Sequence, residues 1–272
     1  DFFDTAKYPT ITYKSTKVNF DGDKPATIEG NLTVKGITKP VTLTVQRVGK
    51  SGTEEVILTR AVIELFHKTR HPFALVTKSS GVERDLDLIA PMAAQGLAAV
   101  YVTVTTLDAG LARTLEPRAA APARRLRTIE TLARAGVPVG VSVSPVIPFL
   151  NEPELEQILA AARAAGAQSA FSIVLRLPWE VNPLFQQWLQ AHFPDRAARV
   201  MARIQDMRGG RDNDARFGTR MTGQGLWADL IRQRFCKTVA RLGLDTQRVE
   251  LDLTRFRRPG SGEPRPVQQS LF

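Results

Sequence analysis

The chain has 272 residues, 43% of them hydrophobic, and a formal net charge of +10. That length admits one large domain or two ordinary ones, and the apolar content suffices to bury a core, which excludes global disorder. The longest apolar runs, around Leu97 to Val104 and Val137 to Val143, fall far short of the roughly 20 residues that a membrane-spanning helix needs, so no membrane span is expected.

The sequence begins at Asp1 with no initiator Met and no basic, apolar leader, which reads as a truncated start and a cytoplasmic location. The basic charge favours polyanionic partners such as nucleic acid or anionic lipid. A single cysteine, Cys236, excludes an intrachain disulfide.

The composition breaks near residue 50. Residues 1 to 50 hold seven Lys and one Arg, and residues 51 to 272 hold three Lys and 26 Arg. Lysine and arginine are nearly equivalent on solvated faces, so the inversion points to two coding sources and to domains at 1–50 and 51–258, with a Gly/Pro-rich tail over 259–272.

In the first segment, Ile28, Leu32 and Val34, and then Val41, Leu43 and Val45, alternate with polar residues at period two, the pattern of extended strands. Asp21-Gly22-Asp23 and Lys35-Gly36, followed by Lys39-Pro40, read as the corners between them. The expectation is a short antiparallel β fragment.

From Thr53 the period changes. Val56 to Arg70 predicts a helix with Ile57, Ala61 and Leu65 on its apolar stripe, before a buried strand at Phe73 to Val76. Helix Glu83 to Gln95 then precedes strand Ala98 to Thr105, and helix Pro122 to Ala135 precedes strand Pro138 to Ser144. Helix Glu152 to Ala165, stopped at Gly166, precedes strand Ala170 to Leu177. Four short apolar strands separated by helices imply an α/β fold with a parallel sheet, doubly wound or a full or partial barrel.

Asp1-Phe2-Phe3-Asp4, Lys7-Tyr8-Pro9, Lys14 to Val18 and Gly30 to Leu43 resemble the YceI-like polyisoprenoid-binding, lipocalin-like family, over about residues 1 to 48. The resemblance implies a periplasmic or secreted lipid carrier. A barrel of about eight strands cannot close from three or four, so no lipid cavity is expected here.

From Thr53 onward the chain resembles radical S-adenosylmethionine (SAM) proteins of the DNA-repair-photolyase type, related to spore photoproduct lyase. Leu75 to Ser79, Val102 to Thr106, Leu115 to Arg118 with Arg124 to Leu126, and Val143 to Asn151 carry the likeness, extended by Arg176-Leu177-Pro178 and Met207 to Asp212. The resemblance implies an incomplete (β/α)6 barrel. In the family a C-x3-C-x2-C loop follows the first strand and holds a 4Fe-4S cluster whose fourth iron binds SAM. Neither that loop nor the strand after it is in this sequence, and one thiol cannot replace three or four. A cluster is therefore not expected, and with it goes the radical chemistry, which belongs to the cofactor and not to the side chains.

Ligands of parallel α/β folds sit at the carboxyl ends of the strands, which selects Lys78, Thr105, Ser144 and Arg176. By the resemblance, Lys78 would meet the SAM carboxylate or a phosphate, and Ser144 would offer its backbone to adenine. Thr103 and Thr105 share a strand face and can bind SAM or simply suit a strand. Glu116 can hold the ribose or amino group and Arg118 a phosphate, or both can form a loop salt bridge.

Arg124, Arg125 and Arg127 crowd a helix start, where positive charge needs an anion, phosphate being one candidate and a solvated face the commoner reading. Around Gly209-Gly210, Arg208, Arg211, Asp212, Asp214 and Arg216 read as a salt-bridged loop or a polyanion site. Trp179, Trp188 and Trp227 read as core or interface residues, with base stacking as the lesser alternative. His67, His71 and His192 lack metal-ligand spacing.

The closing Gln268-Gln269-Ser270-Leu271-Phe272 resembles a sliding-clamp docking peptide, with Gln268, Leu271 and Phe272 as its contacts, and reads equally as a tail that folds back on its own domain. Three functions compete: a truncated, inactive radical SAM lyase joined to a carrier fragment, a lipid-binding module completed by another chain, and a noncatalytic DNA- or clamp-binding protein.

Overall fold

The computed structural model describes residues 12–21, 24–34, 37–44, 54–246 and 249–257. The chain divides between Thr59 and Arg60 into two compact units, a boundary that falls inside a helix, α1 (Glu54–Thr69).

The first unit contains a three-stranded antiparallel sheet, β1 (Thr12–Asp21), β2 (Lys24–Val34) and β3 (Ile37–Thr44), in that order. The pairs Asp21 with Lys24 and Val34 with Ile37 close two-residue hairpins whose turns, 22–23 and 35–36, lie outside the described residues, as does Val45. Lys39-Pro40 is not a corner. Pro40 lies within β3 opposite Asn31, where an edge strand tolerates a residue without an N–H because that side of the ladder is open. The described sheet is open at β1 and β3, and Phe20 and Ile37 are each 63% exposed.

The second unit is built on a parallel sheet ordered β4 (Phe73–Thr77), β5 (Ala98–Thr103), β6 (Val139–Val146) and β7 (Ser169–Val174). The connections carry α2 (Leu86–Ala93), α3 (Ala109–Leu115), α4 (Pro122–Arg134) and α5 (Leu155–Ala164). After β7 come α6 (Val181–His192), α7 (Pro194–Asp206) and α8 (Gly225–Leu242). Two helices expected from the sequence start later than the periodicity suggests. Ser80–Asp85 and Glu152–Glu154 are 3₁₀ turns that lead into α2 and α5, a common way for a helix to begin.

Side chains alternate across each strand, and the two faces differ in chemistry. Val100, Val102, Val139, Val141, Val143 and Ala170 face one way and form the main core with Ile89 and Met92 of α2, Ile129 and Leu132 of α4, Ile158 and Leu159 of α5 and Ile231 of α8. The opposite face is polar and aromatic: Tyr101 registers with Gly140, and Thr103 registers with Ser142 and then Phe171. A β-carbon at Gly140 would stand 2.5 Å from the Tyr101 ring and 2.6 Å from Ser169 Oγ, so the tyrosine lies flat across the sheet only because that position is glycine. Tyr101 also meets Phe171 edge-on at 5.4 Å, and its hydroxyl accepts from the Val249 amide at 3.2 Å. A second apolar cluster joins Ile147, Leu175 and Leu177 at the strand ends to Phe185, Leu189 and Val200 of α6 and α7.

The sequence misplaces the buried face of α1. Ile63 and Thr69 are buried and Phe66 packs on the core, while Ala61 and Leu65 are exposed. In the sequence Val56, Ile57, Leu58, Val62, Ile63, Leu65 and Phe66 fall at positions spread around most of a helical wheel, so periodicity alone does not single out a face. Strand β6 also passes the expected stop at Ser144 and runs to Val146, with its pairing shifted between Val143 and Val146. Among the described residues no helix is long and apolar enough to cross a membrane.

Candidate functional site

The polar sheet face opens at the carboxyl ends of β4, β5 and β6 into a cleft of about 720 Å³. Its floor is Thr103, Ser142, Ser144 and Phe171, and Lys78 and Arg118 stand at its rim. Ser142 Oγ donates to Ser144 Oγ at 3.0 Å. Ser142 was legible in principle: it lies two residues before Ser144 on the same strand and therefore on the same face.

Behind the rim, Glu116 organises a buried ionic cluster. Lys78 Nζ lies 2.8 Å from its Oε1, and Thr105 Oγ1 donates to that same oxygen at 2.8 Å. Arg125 Nη2 donates to Oε2 at 2.6 Å. Burial pushes the Glu116 carboxyl upward, but the hydrogen bonds from Lys78 and Arg125 outweigh it and hold the group below its ordinary value. Arg125, 2% exposed, gives two further donors to Ala120 O at 2.6 Å and Thr103 O at 3.1 Å.

The anions that the α4 arginines require are thus the chain's own. Arg125 meets Glu116, and Arg124 forms a fork with Glu83 at 2.5 and 2.8 Å. Arg118 is exposed and makes no hydrogen bond or ion pair among the described residues.

The expected site residues fall into three groups. Lys78, Thr103, Ser144 and Arg118 line the cleft; Thr105, Glu116 and Arg125 form the cluster that holds Lys78; Arg176 belongs elsewhere. Its Nη1 is 3.8 Å from Met221 Sδ, beside the loop that follows α7.

That loop is held by Arg208, which is 1% exposed and donates to the carbonyls of Val174, Leu175, Thr219 and Arg220. Asp214 takes Arg216 and Thr219, whose hydrogen bonds hold its carboxyl far below the usual range, and Asp212 accepts from Asn182, Gln186 and Gln205. This is the salt-bridged loop reading.

Beside it, Trp179 is 87% exposed, not in the core, and Phe217 is 84% exposed with the Arg220 guanidinium 4.6 Å above its ring. Trp188 and Trp227 are half-buried in aromatic contacts.

One buried residue that drew only a place in a motif is Asn151. It donates to Thr105 O at 2.7 Å and Pro145 O at 2.8 Å and accepts from the Ile147 amide at 2.6 Å, joining the ends of β5 and β6.

A 4Fe-4S cluster does not fit the residues present: the sequence has one cysteine, Cys236, which is exposed on α8. Among the described residues no three His, Cys, Asp or Glu side chains are grouped to hold a metal ion. The cleft does suit an adenosyl ligand in size and lining, with hydroxyls along the floor and cations at the rim. The clamp-type peptide, Gln268, Leu271 and Phe272 included, lies outside the described residues.

The four parallel strands and their helices resemble a partial radical SAM barrel. The fold is similar to that of a mutant of spore photoproduct lyase, with a TM-score of 0.50 and 15% identity over 70% of this chain and 55% of that one. Spore photoproduct lyase complexed with dinucleoside spore photoproduct gives 0.52 and 14%, over 72% and 57%.

Residues 1–94 match the model of the YceI-like domain. The match runs past the unit boundary and over β4, although β4 pairs in parallel with β5. Protein YceI of Escherichia coli O157:H7 is 52% identical over 50 residues, 18% of this chain and 26% of that protein. An uncharacterized protein of Mycobacterium tuberculosis is 33% identical over 130 residues, 47% of this chain and 38% of its own length. The chain spans less than two thirds of each of these relatives.

Proposed function

We propose that residues 60–257 are the SAM- and nucleic-acid-binding part of a radical SAM lyase of the photoproduct-lyase type, working in the cytoplasm, and that this chain binds both ligands without carrying out the radical step. The observation that carries the reading is the cleft at the strand ends, with Lys78 fixed at its rim by Glu116 and hydroxyls of Thr103, Ser142 and Ser144 along its floor. Lys78 Nζ offers its charge to the ligand carboxylate, and the serines and threonine offer hydrogen bonds to the ribose and adenine edge. Glu116 and Arg125 orient Lys78 and do not touch the ligand.

Calorimetric titration of the full chain with SAM and with S-adenosylhomocysteine, with no iron present, tests this directly. Both should bind, and Lys78→Ala should weaken both about tenfold. Absence of binding at millimolar ligand would remove the proposal, as would a protein that takes up close to one 4Fe-4S cluster per chain on anaerobic reconstitution.

The nucleic-acid half rests on two exposed rings, Trp179, five residues after β7, and Phe217, under the Arg220 guanidinium in the loop whose Met221 carbonyl accepts from the Val174 amide at the end of β7. Stacking of a base on such a ring contributes about 1–3 kcal/mol. Anisotropy of a labelled single-stranded hexathymidylate should show salt-sensitive binding that Trp179→Ala with Phe217→Ala weakens at least tenfold. Unchanged affinity in that double variant would rule the surface out. The dinucleoside bound by the structural neighbour is the same class of ligand.

A further inference from the structure

A second cavity, of about 520 Å³, lies away from the strand-end cleft, between α3, the segment before α5, and the junction of α6 with α7. Its volume falls in the roughly 300–1,000 Å³ range of small-molecule sites. One wall is apolar, formed by Leu111, Leu150 and Phe193, and Arg113, Arg196 and His192 border the rest. The site is held in shape: Trp188 Nε1 donates to Thr114 O at 3.0 Å, tying α6 to α3, and the Trp188 ring lies 5.5 Å from both His192 and Phe193.

The guanidinium donors of this cavity are less used than its carboxylate acceptors. Two carboxylates border it, but both are used by the wall itself. Glu154 accepts from Thr106 Oγ1 and from the Leu107 amide, each at 2.7 Å, and Asp108 caps α3 by accepting from the Leu111 amide at 2.7 Å. The guanidiniums are not used in the same way. Arg196 has one long contact, 3.4 Å to Phe149 O, and Arg113 makes no hydrogen bond or ion pair among the described residues. Two guanidiniums bordering one cavity can take a phosphate through paired N–H donors, and the Leu111, Leu150 and Phe193 wall offers a surface for an uncharged remainder.

We propose that this cavity is a binding site for a phosphomonoester, with Arg113 and Arg196 holding the phosphate and the apolar wall holding the group esterified to it. Free metabolites and the 5′ end of a nucleic-acid strand both present that chemistry. No bond is made or broken in this proposal. It is independent of the strand-end cleft, none of whose lining residues it shares.

The test is calorimetric titration of the full chain with ribose 5-phosphate and with a 5′-phosphorylated trinucleotide, each beside its dephosphorylated counterpart. At least one phosphorylated ligand should bind tenfold or more tightly than its counterpart, and the tighter of the two identifies the source. Arg113→Ala with Arg196→Ala should abolish that preference while leaving the thermal melt in place, since both side chains are exposed. The proposal is overturned if phosphate confers no advantage, if the double variant keeps it, or if Lys78→Ala removes it to the same extent.

Discussion

Arg208→Ala is expected to destabilise the second unit by about 3–5 kcal/mol, which at roughly 2–4 °C per kcal/mol for a unit of this size lowers its melting temperature by roughly 6–20 °C. Arg208 is almost wholly buried and its two terminal nitrogens serve four carbonyls, two at the end of β7 and two in the loop before α8. The bonds to Val174 O and Leu175 O are buried, and each of these carbonyls left without a donor costs about 1–3 kcal/mol, whereas Thr219 O keeps the Gly223 amide as a donor. Removing the guanidinium also relieves its own desolvation, the main cause of its lowered pKa, which offsets part of the loss. Lysine places its donors on a single atom and cannot span four acceptors, so Arg208→Lys should recover only part of the loss. A melt of Arg208→Ala within 2 °C of the parent would refute the clamp.

Glu116→Gln should cost a similar amount, about 3–5 kcal/mol, because it leaves the Arg125 guanidinium buried with no counter-charge. The pH dependence gives a second, more specific signature. The Glu116 carboxyl has a lower pKa in the folded chain than in the unfolded one, so its contribution is complete above its ordinary value near 4.5 and is lost as pH falls through the lowered value. Urea unfolding across that acid range should therefore show the gap between parent and variant closing as the pH drops. Arg125→Met added to Glu116→Gln should restore part of the stability, since the uncompensated charge goes with it. A gap below 1 kcal/mol at neutral pH, or one that does not change with pH, would show that the cluster does not hold the strand ends as argued.

The parallel sheet was legible because its four strands are short valine- and alanine-rich runs between helices with clear stops, Gly136 and Gly166 among them. The alternation that lines the cleft was half legible. Thr103 and Ser144 were found, and Ser142 and Phe171 were passed over although they share a face with them by period and register.

What local pattern could not supply was long-range pairing. Glu83 and Glu116 neutralise arginines 41 and 9 residues away, and nothing in an arginine run says which carboxylate will reach it. For the same reason Arg208 looked like one more charge in a surface loop, whereas packing made it a buried strut. The apolar stripe of α1 failed differently: a helix apolar around most of its circumference has no face that periodicity can choose.

Asn151 gives the strand ends a mechanical property. Where the ladder between β6 and β7 slips out of register, its single amide spans β5 and the β6 turn through three hydrogen bonds. The two ends that carry Thr105 and Ser144 are consequently tied together, so the spacing between the ionic cluster behind the cleft and the hydroxyl on its floor is held by one side chain. Any widening of the cleft then comes from its two flanks, the edge strand β4 with Lys78 just past its end and the edge strand β7 with Phe171.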